Sequence, residues 1–177
     1  MKRQEFHDQM RRRPLLLDGA TGTELFKRGL PPGAAPEQWA LDNPEALRDL
    51  HRSYYEAGSD IVLACVFGAN RIKLADHGLA DRAGEMNRRL VEISKAVVPE
   101  GRFLFGDLSP TGQLVEPFGP LPSQEAVAVF REQAVALDDR GRDGSRQQTV
   151  GDDPEAVALR VRPRATRPRL LARAATA

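Results

Sequence analysis

Apolar residues along this chain fall into two alternating patterns. Leu15-Leu16-Leu17, Ile61-Val62-Leu63-Ala64-Cys65 and Phe103-Leu104-Phe105 are short continuous runs, the pattern of strands buried on both faces. Between them the spacing widens to three and four residues, which predicts amphipathic helices. Leu47, Leu50 and Tyr54 share one face of a helix that Asn43-Pro44 starts and Gly58 stops. Leu79, Ala83, Met86, Leu90, Ile93 and Val97 form one stripe over about five turns. Val127, Phe130, Ala134 and Leu137 are expected to face inward from a helix capped by Ser123.

The first run ends at Asp18-Gly19, where glycine supplies turn dihedrals and lets another group approach the backbone. Thr21 and Glu24 then stand at capping-box spacing. The expected unit is a buried strand, a tight turn that presents a carboxylate and free amides, and a capped helix. Asp18 acting only as the cap of its own turn is the local alternative.

Polar and punctuated stretches separate these elements. Met1 to Arg13 is a polar arm, read as a short helix or a frayed end. Lys27 to Trp39 is a loop broken by Gly29, Pro31, Pro32, Gly33 and Pro36, with Trp39 packing at a rim. His51 stands among charged neighbours and is expected to be a solvated or rim histidine and not a ligand, and Met86 is core filler. Val66 to Asn70 and Gly106 to Gly112 leave the second and third strands on the side where a parallel sheet carries its site. Strands alternating with helices predict an α/β fold with a parallel sheet under helices, a pattern that a doubly wound sheet and a closed barrel both satisfy.

Composition narrows the picture. With 177 residues, 41% of them hydrophobic, and a net charge of +1, the chain has the make-up of one ordinary globular domain. No apolar run reaches the ~18 residues of a membrane span. The basic N-terminus lacks the apolar core of a secretory signal, so a cytoplasmic protein is expected. Cys65 is the single cysteine, which rules out an internal disulfide. A phosphate-binding GxGxxG or Walker loop, which would favour an open nucleotide-binding sheet, does not occur.

Three motifs in register carry a resemblance. DGATGTEL (Asp18–Leu25), the segment Pro36–Leu74 that opens PEQWALDNPEALRDLH and closes VFGANRIKL, and FGDLSPTGQL (Phe105–Leu114) together resemble the homocysteine S-methyltransferase family. The resemblance spans about Pro14 to Asp139 and selects the barrel. A complete (β/α)₈ barrel takes about 250 residues, so the expectation is a partial TIM barrel: its first three to four β/α units, followed by an irregular basic tail. On this reading residues 1–13 are the arm and 14–139 are the N-terminal half of a homocysteine-binding barrel. Residues 140–177 are a degraded or frame-shifted Arg/Pro-rich tail, because Ser145 to Val150 is too polar for a buried fourth strand.

The family moves a methyl group onto homocysteine sulfur, giving methionine, and zinc held by three cysteines keeps that sulfur as the nucleophilic thiolate. Those cysteine positions have no counterpart here. Cys65 matches a loop residue that is usually Asn in a TNTF-like motif, and His7, His51 and His77 lack ligand spacing with it. No catalytic or metal-binding residue is therefore assigned. Asp18 and Gly19 match positions that contact the amino-acid end of homocysteine, the carboxylate suited to its ammonium. Asp107 and Thr111-Gly112 match the third-strand exit, and Gln148 is nearest to a family glutamate on the fourth strand. The methyl donor (folate–corrinoid, S-methylmethionine or betaine-like) is not specified. The expected function is that of a homocysteine S-methyltransferase made inactive by truncation. The alternative is a non-catalytic half barrel whose basic tail binds nucleic acid or an acidic partner, with nucleic acid disfavoured. Exposed barrel edges would favour self-association under either reading.

Overall fold

The computed structural model of the protein describes residues 3–138. The tail, the expected fourth strand and Gln148 lie outside the described residues. Helices α1 (Arg3–Arg12), α2 (Thr21–Lys27), α3 (Pro36–Asp42) and α4 (Pro44–Glu56) lead into strand β1 (Ile61–Leu63). Helix α5 (Arg71–Ala75), a 3-10 turn at Ala80–Arg82 and α6 (Ala83–Lys95) connect it to strand β2 (Phe103–Phe105), and α7 (Ser123–Leu137) follows. β1 and β2 pair in parallel, with Ile61 opposite Phe103 and Leu63 opposite Phe105. Leu17 adds a parallel bridge to Ile61 on the other side of β1. The chain is thus mixed α/β, with three parallel segments side by side and β1 in the middle.

The core lies where α6 packs on α3, α4 and α7. Leu47, Leu50, Val62, Leu74, Met86 and Leu90 are fully or almost fully enclosed there, and Trp39 packs against the same cluster. Helix α4 follows its sequence signals: Pro44 takes the first helical position, and Gly58 beyond its end has φ 106°, a left-handed value that glycine adopts without strain. The Asn43 side chain does not cap this helix; it donates back to the Trp39 carbonyl at 2.9 Å.

Several elements depart from their sequence patterns. Leu15–Leu17 is not a fully buried strand: Leu16 and Leu17 are 57% and 46% exposed, because this segment is the edge of the sheet and only β1 flanks it among the described residues. Thr21 and Glu24 form no capping box. The N-cap is Ala20, without a side-chain bond, and Glu24 instead binds Lys27 at 2.6 Å and Arg28 at 2.8 Å. The supposed loop up to Trp39 contains the start of α3. The second strand stops at Leu63, and the Leu79–Val97 stripe is divided by the 3-10 turn ahead of α6. Ser123 does not cap α7, whose N-cap is Pro122. The buried face of α7 is Ala126, Val129, Gln133, Ala136 and Leu137, one residue round from the expected stripe.

His51 is the largest reversal. It is 1% exposed, and neither ring nitrogen has a hydrogen-bond partner among the described residues. Burial pulls its pKa down to about 4, so the ring is neutral at physiological pH. Its charged sequence neighbours point elsewhere around the helix, while His51 shares the face of Leu47 and Tyr55.

The N-terminal end of the sheet is closed. Phe6 of α1 packs edge-on against Phe103 and Phe105, with ring centres 5.0 and 5.2 Å apart, so the polar arm is an ordered helix with one buried aromatic. Asp60, 2% exposed, accepts a two-pronged bond from Arg13 at 2.6 and 2.8 Å and the Leu16 amide at 2.9 Å, and it also pairs with Arg102. One carboxylate thereby ties together the starts of all three parallel segments.

Candidate functional site

Parallel strands place their variable loops beyond their C-terminal ends, and sites form there. At that end the three exits carry Asp18, the loop Val66–Asn70 and Asp107. Asp18 Oδ2 accepts the Leu63 amide at 2.9 Å, so the carboxylate leans across the end of β1. Its Oδ1 is shut off from water and has no partner among the described residues. Burial pushes the Asp18 pKa up to about 6, against the Leu63 amide and its own amide, and the charge of Asp107 adds to the rise. Asp107 is likewise raised, by burial first, with the Leu108 amide and Lys73 opposing. The two acids singled out from the sequence are therefore brought into electrostatic contact across the middle strand.

Gly19 meets a structural demand. A Cβ there would lie 3.1 Å from the Tyr54 hydroxyl, which donates to the Ala20 carbonyl at 3.1 Å. Thr111 is buried, and its hydroxyl is engaged within its own turn by the Gln113 amide at 3.3 Å and carbonyl at 3.2 Å. Gly112 next to it has φ 86°. Thr111 shapes the β2 exit loop and does not stand beside Asp18 through any bond. Gln148 lies outside the described residues.

Side chains not anticipated from the sequence complete this end. Lys73 Nζ stands 4.6 Å from the centre of the exposed Phe67 ring and donates to Ser109 Oγ at 3.3 Å, bridging the exits of β1 and β2. Glu37, 5% exposed, accepts the Gly68 amide at 2.6 Å. A cation–aromatic pair, Lys73 six residues after Phe67, was open to view in the sequence. The Glu37–Gly68 pair, 31 residues apart, left no local signal.

The donor set does not fit a metal. No group of three His, Cys, Asp or Glu side chains able to hold an ion occurs among the described residues. Cys65 is buried, and burial, reinforced by the Glu37 charge, drives its thiol pKa far up, the opposite of an activated or metal-binding sulfur. No helix among the described residues is long and apolar enough to cross a membrane.

Comparison with known proteins identifies the family. The sequence profile of the homocysteine S-methyltransferase family matches residues 15–172, and the chain belongs to that family. Methionine synthase of Mycobacterium tuberculosis is 29% identical over 163 residues, and that of Mycobacterium leprae 28% over 159; each match takes in 82% of this chain. The chain spans 13% of the length of either relative. Among solved structures, the homocysteine methyltransferase MmuM from Escherichia coli in its metallated form superposes with a TM-score of 0.64 at 23% identity. That match covers 77% of this chain and 54% of MmuM. The oxidized form gives 0.58 at 26% identity, covering 72% of this chain and half of the other. Residues 3–138 thus share the fold of about half of a larger methyltransferase.

Proposed function

We propose that this chain forms the first half of a TIM-type barrel and provides the amino-acid-binding part of a homocysteine S-methyltransferase. The observation that carries the reading is Asp18: a half-buried carboxylate at a strand exit, one oxygen bonded to Leu63 and the other without a partner among the described residues. An ionised carboxylate in that position is stabilised by a cationic group, and the ammonium of an amino acid supplies one with hydrogen-bond geometry. Asp107 adds negative potential beside it, and Gly19 keeps the turn narrow enough for Tyr54 to brace it.

Methyl transfer needs more than this. Homocysteine thiol is mostly protonated at neutral pH, and zinc in the family supplies the thiolate. The single cysteine of the chain, Cys65, is buried and has the wrong pKa for that task. On this reading the described residues hold homocysteine and offer no group that activates its thiol, and neither the methyl donor nor a donor site is assigned.

Titration of L-homocysteine into the purified 177-residue chain, with Asp18→Ala beside it, tests the reading. Binding that disappears in Asp18→Ala, together with no methionine formed from S-methylmethionine, betaine or methylcobalamin in the presence of zinc, is expected. Equal affinity in the variant removes Asp18 from the site. Zinc-dependent methionine formation overturns the inference that the chain is inactive.

A further inference from the structure

The loop that leaves the middle strand is held from behind by three buried polar side chains on three different helices. Glu37 of α3 accepts the Gly68 amide at 2.6 Å. Asn87 of α6, completely enclosed, donates to the Ala69 carbonyl at 2.7 Å and to the Ala83 carbonyl of its own helix at 2.8 Å. Gln133 of α7, 1% exposed, donates to the Val66 carbonyl at 2.8 Å and to Asn87 Oδ1 at 3.2 Å. A Cβ on Gly68 would fall 2.6 Å from Glu37 Oε1, so the contact needs glycine at that position. Asn70, also enclosed, accepts the Lys73 amide at 3.0 Å and fixes the root of α5.

Buried polar side chains cost free energy unless they are bonded, and an apolar residue in each place would fill the core at lower cost. Here all three are directed at four residues of one loop, and of those four only Phe67 is exposed. Phe67 is the residue that Lys73 covers, and Lys73 reaches Ser109 in the next loop. We infer that Glu37, Asn87 and Gln133 are positioning residues that lock the backbone of Val66–Ala69, so that the Phe67–Lys73 wall of the site stands in its binding geometry before a ligand arrives. Preorganisation of this kind raises affinity by removing the ordering cost of a loop. The inference rests on the homocysteine-binding reading for its ligand but not for its structural content.

Two measurements on the full chain separate those parts: amide hydrogen exchange residue by residue, and L-homocysteine titration. The variants are Glu37→Leu, Glu37→Gln and Gln133→Leu. Glu37→Gln keeps an acceptor for Gly68 and is expected to behave as the parent. Gln133→Leu leaves the Val66 carbonyl with the Ala69 amide at 3.0 Å and removes Gln133 Oε1, which has no partner among the described residues. It also takes the donor from Asn87 Oδ1, so its affinity loss is read against its own thermal midpoint. Glu37→Leu and Gln133→Leu should each speed exchange at residues 67–70 only and weaken homocysteine binding about tenfold, the equivalent of one ordinary hydrogen bond. Unchanged exchange in the loop, or acceleration spread over α6 and α7, overturns the inference. So does a loss of affinity that merely tracks loss of thermal stability, or an affinity that does not change. If the parent chain shows no homocysteine binding, the functional reading fails while the exchange pattern still decides whether these residues position the loop.

Discussion

Asp60 and Asp18 are the same side chain at opposite ends of the same three parallel segments, and their surroundings push them in opposite directions. Asp60 accepts Arg13, Arg102 and the Leu16 amide, and the Arg13 contact above all holds its pKa well below the usual carboxylate range. Asp18 has the Leu63 amide and its own, a carboxylate for a neighbour and an oxygen with no partner among the described residues, and burial lifts its pKa to about 6. A satisfied charge is a fastening. An unsatisfied one is a demand that a ligand can meet, at a standing cost to the empty protein. The lower end of the sheet is built for stability, and under the proposed function the upper end keeps an acceptor for a ligand.

The contrast breaks most visibly at Asp60. Asp60→Ala takes the shared partner from Arg13, Arg102 and the Leu16 amide; because water reaches the Arg13 side chain, the cost should be about 2 kcal/mol in urea denaturation. A loss under ~1 kcal/mol would show the lower end to be no fastening at all. Since the folded pKa is depressed, the Asp60 contribution is present above about pH 4 and is lost as pH falls below it. The acid limb of the stability curve should therefore flatten in Asp60→Asn.

Asp18→Asn should act with the other sign. Between about pH 4 and 6 the folded chain holds a proton on Asp18 that the unfolded chain has released, so this group loses stability for the fold as pH rises through that window. The variant keeps an acceptor for Leu63 and should be more stable than the parent above pH 6, with the gain fading to nothing below pH 4. Thermal melts across pH 3.5–7.5 measure it; an unstable Asp18→Asn at pH 7 would mean that the ionised carboxylate has a protein partner after all.

His51 supplies a smaller effect that sharpens the same window. Its folded pKa is depressed to about 4, so the unfolded chain binds the extra proton between about pH 4 and 6.5 and stability falls as pH falls there. Asp18 and His51 thus oppose each other, and His51→Leu should expose the bare Asp18 slope while raising stability at pH 7 by about 1 kcal/mol. A parallel shift of the whole curve, without change of slope, would show that the ring is charged or bonded in the fold. The smallest effect is at the turn: Gly19→Ala should cost about 1 kcal/mol by crowding Tyr54, and a double-mutant cycle with Tyr54→Ala should abolish that cost.

Legibility in the sequence follows the range of the interactions. Helix α4 and the run at 103–105 depend on spacing within one element and stand where the pattern places them; the run at 61–65 and the stripe from Leu79 to Val97 are found in shortened form, as β1 and α6. The α/β class and the role of Gly58 are of the same kind. Leu15–Leu17 misleads because a continuous apolar run reports what a strand could bury and not what lies beside it. Thr21–Glu24 misleads because Lys27 and Arg28 one turn on compete for the same carboxylate. His51 is hidden by its nearest neighbours in sequence, which a helix turns away; the spacing of Leu47, Leu50, His51 and Tyr55 was the stripe that places it inside. At the candidate site, Asp18 and Gly19 were marked by the turn at a strand end, and Asp107 by the family resemblance. Glu37, Asn87 and Gln133 bond to backbone 31, 18 and 67 residues away, and no local pattern encodes such a partner.

Phe6 gives the molecule a chronology. Its partners are Phe103 and Phe105, almost a hundred residues later. At ribosomal rates of about 5–20 residues per second, the first helix emerges and then waits on the order of 5–20 s before the aromatic surface it caps has been made. Leu16 and Leu17, bound for pairing with the region of Asp60 and Ile61, wait for a shorter part of that interval. The helix that carries Phe6 is thus made well before the aromatic surface it covers, and a growing chain halted before residue 103 carries that helix undocked.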